Sequence, residues 1–126
     1  SRGITHIVSV LKTRMEDQLP PTLKRLWIPV IDIATSTLEF ESKWPEALKF
    51  LRDCMDSGGV ALIHCRAGMS RSSTILLAHL LDYHKMNLRD AWQLLCSKHP
   101  IAAPITPFWK ALIAFEQRLF QETSPD

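Results

Sequence analysis

The sequence predicts an α/β fold: a central, mostly parallel sheet flanked by helices, with a ligand loop between a buried strand and the central helix. Three observations predict it. Short runs rich in β-branched and apolar residues, ITHIVSV (4–10), KRLWIPVID (24–32) and VALIH (60–64), read as strands. Apolar residues recur at helical spacing between the second and third runs and through the C-terminal half. A glycine-containing loop follows the third run directly and leads into a segment that is apolar almost all round. In α/β folds, ligands sit at the carboxyl ends of strands, beside helix N-termini.

Each element has a local reason. Residues 4–10 form the first strand, and the charged, proline-bearing KTRMEDQLPPTL after it is a surface loop. Pro29 marks the second run as an edge or a strand end, because proline cannot donate to a ladder. IATSTLEFES is expected as a loop leading into a helix over 44–56. In that helix Trp44, Leu48, Leu51 and Met55 share a face, Pro45 suits the first turn, and Ser57-Gly58-Gly59 ends it. VALIH is a continuous apolar run, as a strand buried on both faces would be. STILLAHLLDYHK becomes the central buried helix. Asn87 caps another helix with Asp90 three places on, its buried face being Leu88, Ala91, Trp92 and Leu95. Thr106-Pro107 opens a last helix with Phe108, Leu112, Phe115 and Leu119 inward.

The chain has 126 residues, 46% hydrophobic and 22% charged, which suits one ordinary globular domain. A formal net charge of +2 gives no reason to expect a nucleic-acid or anionic-membrane binder. No run is long enough to span a bilayer, and no signal peptide is visible. Three cysteines, Cys54, Cys65 and Cys96, are an odd number without paired spacing, so a reducing, intracellular compartment is expected rather than a disulfide framework. Neither a CxxC nor a His/Cys cluster suggests a metal. His6, His79, His84 and His99 share no ligand spacing, and Trp27, Trp44, Trp92 and Trp109 read as packing.

The chemistry concentrates in HCRAGMSRSST, residues 64–74. Cys65 stands where a buried strand ends, and the next helix starts near Arg71. Loop amides between them can curl into a nest with the helix dipole behind. Such a place attracts a tetrahedral oxyanion and favours thiolate over thiol at Cys65. Gly68 permits the tight curl. Arg71 offers a planar fork that holds two phosphate oxygens at once, which a lysine cannot. A thiolate under a phosphate can attack phosphorus and form a phosphocysteine that water later hydrolyses. Ser72 can donate to the sulfur and improve it as a leaving group. His64 is expected to fix the loop rather than act as a base. Arg66, Ala67, Gly68, Met69, Ser70 and Arg71 together would hold the substrate phosphate, with Arg66 and Met69 shaping the rim. A lone cysteine is more often a packed core residue, but the strand-to-loop position argues against that here.

His64-Cys65, five intervening residues and then Arg71-Ser72 resembles the signature of the cysteine-dependent protein tyrosine phosphatases, and the fuller stretch resembles their dual-specificity branch. IPVID is similar to that family's general-acid loop, with Asp32 thirty-three positions before Cys65. APITPFWKALIAFE is similar to its closing segment. The resemblance runs from about Ile4 to Glu116. It implies a phosphatase-like fold with a catalytic domain over 1–122, short of the family's usual first strand and helix, and a disordered tail at 123–126. It also implies a cofactor-free hydrolase in which Asp32 protonates the leaving group and then accepts a proton from water. The substrate would be a phosphorylated protein in the cytoplasm or nucleus, with signalling as the context, and no nucleic acid or membrane insertion is expected.

The family's phosphotyrosine-only branch carries an aromatic recognition loop, which this chain lacks; its sole tyrosine, Tyr83, lies in a helix. A shallow pocket open to phosphoserine, phosphothreonine and phosphotyrosine is therefore expected. The closing loop departs from the family's pattern, and the phosphate loop bears on the substrate. Ile105, Thr106 and Pro107 replace an asparagine and glycine before the aromatic of the closing loop. Ala67 and Met69 are neutral where phosphoinositide phosphatases carry lysines. A non-protein phosphate such as a phosphoinositide or an RNA 5′ end, a binding-only pseudophosphatase and a rhodanese-like transferase are the competing classes. Retention of both Cys65 and Arg71 argues against the pseudophosphatase, and the Ser-Arg-Ser ending against the transferase.

Overall fold

Three parallel strands run side by side in the order β2-β1-β3. They are β1, His6–Val10; β2, Lys24–Ile28; and β3, Ala61–Cys65. The computed structural model describes residues 3–10, 22–29, 37–65, 70–98 and 104–123. Register is direct: His6 pairs Lys24 and Ala61, and Val10 pairs Ile28 and Cys65. All three strands therefore end level, with their carboxyl ends on one side of the sheet. β2 stops at Ile28, immediately before Pro29, as the missing proline donor requires.

The expectation for β3 needs correction. VALIH reads as a strand buried on both faces, yet Leu62 is 41% exposed, and β1 is the strand buried along its whole length. An apolar run reports hydrophobicity and not the number of neighbours. β1 is buried because it lies between β2 and β3, even though it carries His6 and Ser9.

Five helices accompany the sheet among the described residues: α1, Thr37–Ser42; α2, Trp44–Asp56; α3, Ser70–Asp82; α4, Leu88–Lys98; and α5, Thr106–Thr123. The first is a second correction, since IATSTLEFES reads as loop. Its polar composition is a poor helix signal. Tertiary packing overrides it: Phe40 is fully buried, 4.8 Å from the Phe108 ring and 6.1 Å from the Trp44 ring. Helix α2 buries Trp44, Leu48 and Leu51 as its spacing predicts, with Cys54 the buried residue of the last turn and Met55 only half-buried. It ends at Gly58, whose φ of 76° suits glycine. Gly59 has a different reason to be glycine. A Cβ there would stand 2.6 Å from Thr5 Oγ1 and 2.9 Å from Cys54 Sγ, so the turn after α2 has no room for a side chain unless those neighbours shift.

Helix α3 is the central helix, touching β3, α2, α4 and α5. Ile75, Leu77, Ala78 and Leu81 are buried on it. Asn87 caps α4 as its sequence position predicts, its Oδ1 accepting from the Asp90 N–H at 2.8 Å. A second cap was not legible locally: Glu116 of α5 accepts from the Leu88 N–H at 2.6 Å, so a carboxylate meets the positive end of α4. In α5, Phe108 and Leu112 are buried and Phe115 and Leu119 half-buried. That helix opens at Thr106, with the Ile105 carbonyl accepting from Phe108 and Trp109.

Candidate active site

The last residue of β3 is Cys65, and four positions separate it from the first residue of α3, Ser70. The helix brings two residues of the motif back toward the strand end. The Ser72 N–H donates to Cys65 Sγ at 3.4 Å, and Ser72 Oγ lies 3.3 Å from the same sulfur. One serine thus sets an amide and a hydroxyl against one thiol, and both groups can stabilise a negative sulfur by donating to it. Cys65 and Cys96 are half-buried, Cys54 is buried, and none of the three is in a disulfide among the described residues.

Arg71, Ser72, Ser73 and Thr74 are all buried, with Arg71 only 5% exposed. Burying a guanidinium on the first turn of a helix is costly unless anionic partners or hydrogen bonds compensate. A run of four buried polar residues at a helix start is a local expense that an apolar helix would avoid. It is the kind of rule-breaking that accompanies function.

His64 lies one residue before the cysteine and is half-buried. Burial pushes its imidazole below the ordinary histidine range. Across the ladder stands Ser9, whose Oγ is 2.6 Å from His64 Nε2. The ring is thus neutral and tied by a hydrogen bond to the neighbouring strand. Ser9 was missed by the sequence reading. Its only signal was a small polar residue in an otherwise apolar stretch, and its meaning depends on a pairing 55 positions apart.

Cys65, Ser72 and His64 of the expected site are therefore gathered at the β3–α3 junction, with Arg71 buried beside Ser72. Asp32, Arg66, Ala67, Gly68 and Met69 lie outside the described residues, as does the side chain of Ser70. Among the described residues, no three His, Cys, Asp or Glu side chains form a group that could hold a metal. No helix there is long and apolar enough to cross a membrane.

The family model described as "Dual specificity phosphatase, catalytic domain" matches residues 1–118. Dual specificity protein phosphatase 14 of Mus musculus is 38% identical over 126 residues, covering 98% of this chain and 61% of that protein. Dual specificity protein phosphatase 5 of Rattus norvegicus is 30% identical over 120 residues, covering 94% of this chain but 31% of its own length. The chain thus spans about a third to three-fifths of these two relatives. The crystal structure of human DUSP28 superimposes with a TM-score of 0.84 at 27% identity, over 93% of this chain and 77% of that one.

Proposed function

The chain belongs to the dual specificity phosphatase family, and from that premise we propose that it hydrolyses phosphoprotein esters through a phosphocysteine formed on Cys65. The observation that carries the proposal is the pairing of Cys65 Sγ with the amide and hydroxyl of Ser72, at the carboxyl end of a strand and the start of a helix.

The reaction runs in two displacements. The Cys65 thiolate attacks phosphorus, the P–S bond forms and the P–O bond to the substrate breaks. Asp32 gives its proton to the departing alkoxide or phenoxide. Arg71 and the amides of 66–70 hold the equatorial oxygens as charge redistributes. Water then attacks phosphorus, Asp32 takes its proton, and the P–S bond breaks to release inorganic phosphate and restore the thiolate. Ser72 acts in this second half, donating its hydroxyl to the leaving sulfur. His64 holds the strand end. The reaction needs no metal or cofactor.

The substrates are proteins phosphorylated on serine, threonine or tyrosine, a reading supported by a sequence without the aromatic recognition loop of the phosphotyrosine-only branch. An intracellular location, cytoplasmic or nuclear, accords with a thiolate nucleophile, and the catalytic unit spans residues 1–122.

Hydrolysis of para-nitrophenyl phosphate by the chain and by Cys65→Ser, each with chelator and with vanadate, tests the proposal. Chelator-resistant, vanadate-sensitive turnover that vanishes in the variant is expected. Turnover that survives in Cys65→Ser, or that requires metal, would overturn it. A panel of phosphopeptides, phosphoinositides and 5′-phosphorylated RNA then fixes the substrate class.

A further inference from the structure

Ser9 is 5% exposed in the middle strand of the sheet. A hydroxyl in that position costs free energy unless it is bonded, and it is bonded to the imidazole of His64, Nε2 to Oγ, at 2.6 Å. The parallel register sets the two residues directly opposite each other, and the next pair along is Val10 with Cys65. The serine-to-histidine bond is therefore the last side-chain tie across the ladder before the nucleophile. A neutral imidazole carries one donor nitrogen and one acceptor nitrogen. Whichever role Nε2 takes toward the hydroxyl, Nδ1 takes the other, so Ser9 bears on both the orientation of the ring and its tautomer. Burial, which pushes His64 down from its ordinary range, keeps the ring neutral near pH 7.

Resting on the phosphocysteine reading, we propose that Ser9 is a positioning residue for the cysteine step: its hydroxyl locks the His64 ring, and through it the strand end that aims Cys65 at phosphorus. Attack is sensitive to the aim of the sulfur, whereas phosphate binding depends on Arg71 and the loop amides. Loss of the hydroxyl should slow turnover without weakening anion binding.

Ser9→Thr and Ser9→Val make the cleanest pair, since they match in shape and differ in the hydroxyl; Ser9→Ala adds the truncation. In the full chain, Ser9→Val and Ser9→Ala should lower kcat about tenfold, the scale of one lost hydrogen bond. Inhibition by inorganic phosphate should stay unchanged, and Ser9→Thr should restore kcat. The ¹⁵N spectrum of His64 should show one tautomer in the wild type and Ser9→Thr, and a mixture in the other two. Equal kcat in Ser9→Thr and Ser9→Val would overturn the proposal, as would an unchanged His64 spectrum in Ser9→Val. Cys65→Ser is run alongside: turnover there would bring down the phosphocysteine reading itself, whereas its loss, with no effect at position 9, would bring down only the role of Ser9.

Discussion

At its first turn helix α3 buries Arg71, Ser72, Ser73 and Thr74; towards its other end it buries His79, beside the rings of Tyr83 and His84. The two ends handle buried polarity differently. At the first, Ser72 turns both an amide and a hydroxyl to the sulfur of Cys65, and His64 nearby is bonded to Ser9. At the second, His79 stacks on Tyr83 at 5.6 Å, and its Nδ1 has no hydrogen-bond partner among the described residues. Around it, Arg52 of α2 pairs with Asp82 at 2.6 Å, and the Tyr83 hydroxyl donates to Asp56 at 2.8 Å. Those bonds join α2 to the end of α3. One end converges on the sulfur of Cys65, and the other fastens two helices together. Burial alone therefore does not distinguish the two ends; what the buried groups turn toward does.

The comparison breaks most readily at Arg71. Arg71→Lys keeps the charge and loses the fork, so kcat/KM should fall about 10²- to 10³-fold. Urea unfolding should move little by comparison, and a large loss of stability with normal turnover of the folded fraction would make Arg71 structural.

The far end should instead respond to acid. Burial first, then the neighbouring His84 and Arg52 charges, push His79 down from 6.5 to about 4, while Asp82 opposes them. The folded state keeps the ring neutral, and the unfolded state binds the proton first. Stability from this group is therefore complete above pH 6.5 and declines as pH falls toward 4, by about 3 kcal/mol in all. His79→Phe, which keeps the stacking, should flatten that part of the stability curve in urea melts at pH 5 and 7. A variant with the wild-type slope would assign the acid sensitivity elsewhere.

A smaller effect separates the two halves of the reaction. Ser72→Ala should slow release from the phosphocysteine by about tenfold, again the scale of one hydrogen bond. A rapid burst followed by slow turnover would then appear in stopped-flow traces. Smallest of all, Tyr83→Phe should cost about 0.5–1 kcal/mol of stability and leave turnover unchanged.

Much of this was legible from residues alone, because the signals were local. Pro29 ends β2, Asn87 caps α4, and glycine at 58 takes a positive φ. The bond between Cys65 and Ser72 follows from a loop of fixed length between a strand and a helix. What escaped depends on distant partners. Helix α1 is held by Phe40 packing on Phe108, and α4 is capped by Glu116. The burial order of the strands depends on which one lies in the middle. Ser9 acquires a role only once β1 and β3 pair, and no periodicity within HIVSV announces it.

The central claim is covalent chemistry at one sulfur, and trapping it is the most direct measurement. The chain carrying Ser72→Ala is mixed with ³²P-labelled phosphopeptide, quenched in milliseconds, digested and sequenced by mass spectrometry. The account predicts acid-stable label on the peptide containing Cys65, one phosphate per chain, chased by unlabelled substrate. Label on a serine or histidine, or turnover with no labelled enzyme at any time, would contradict it.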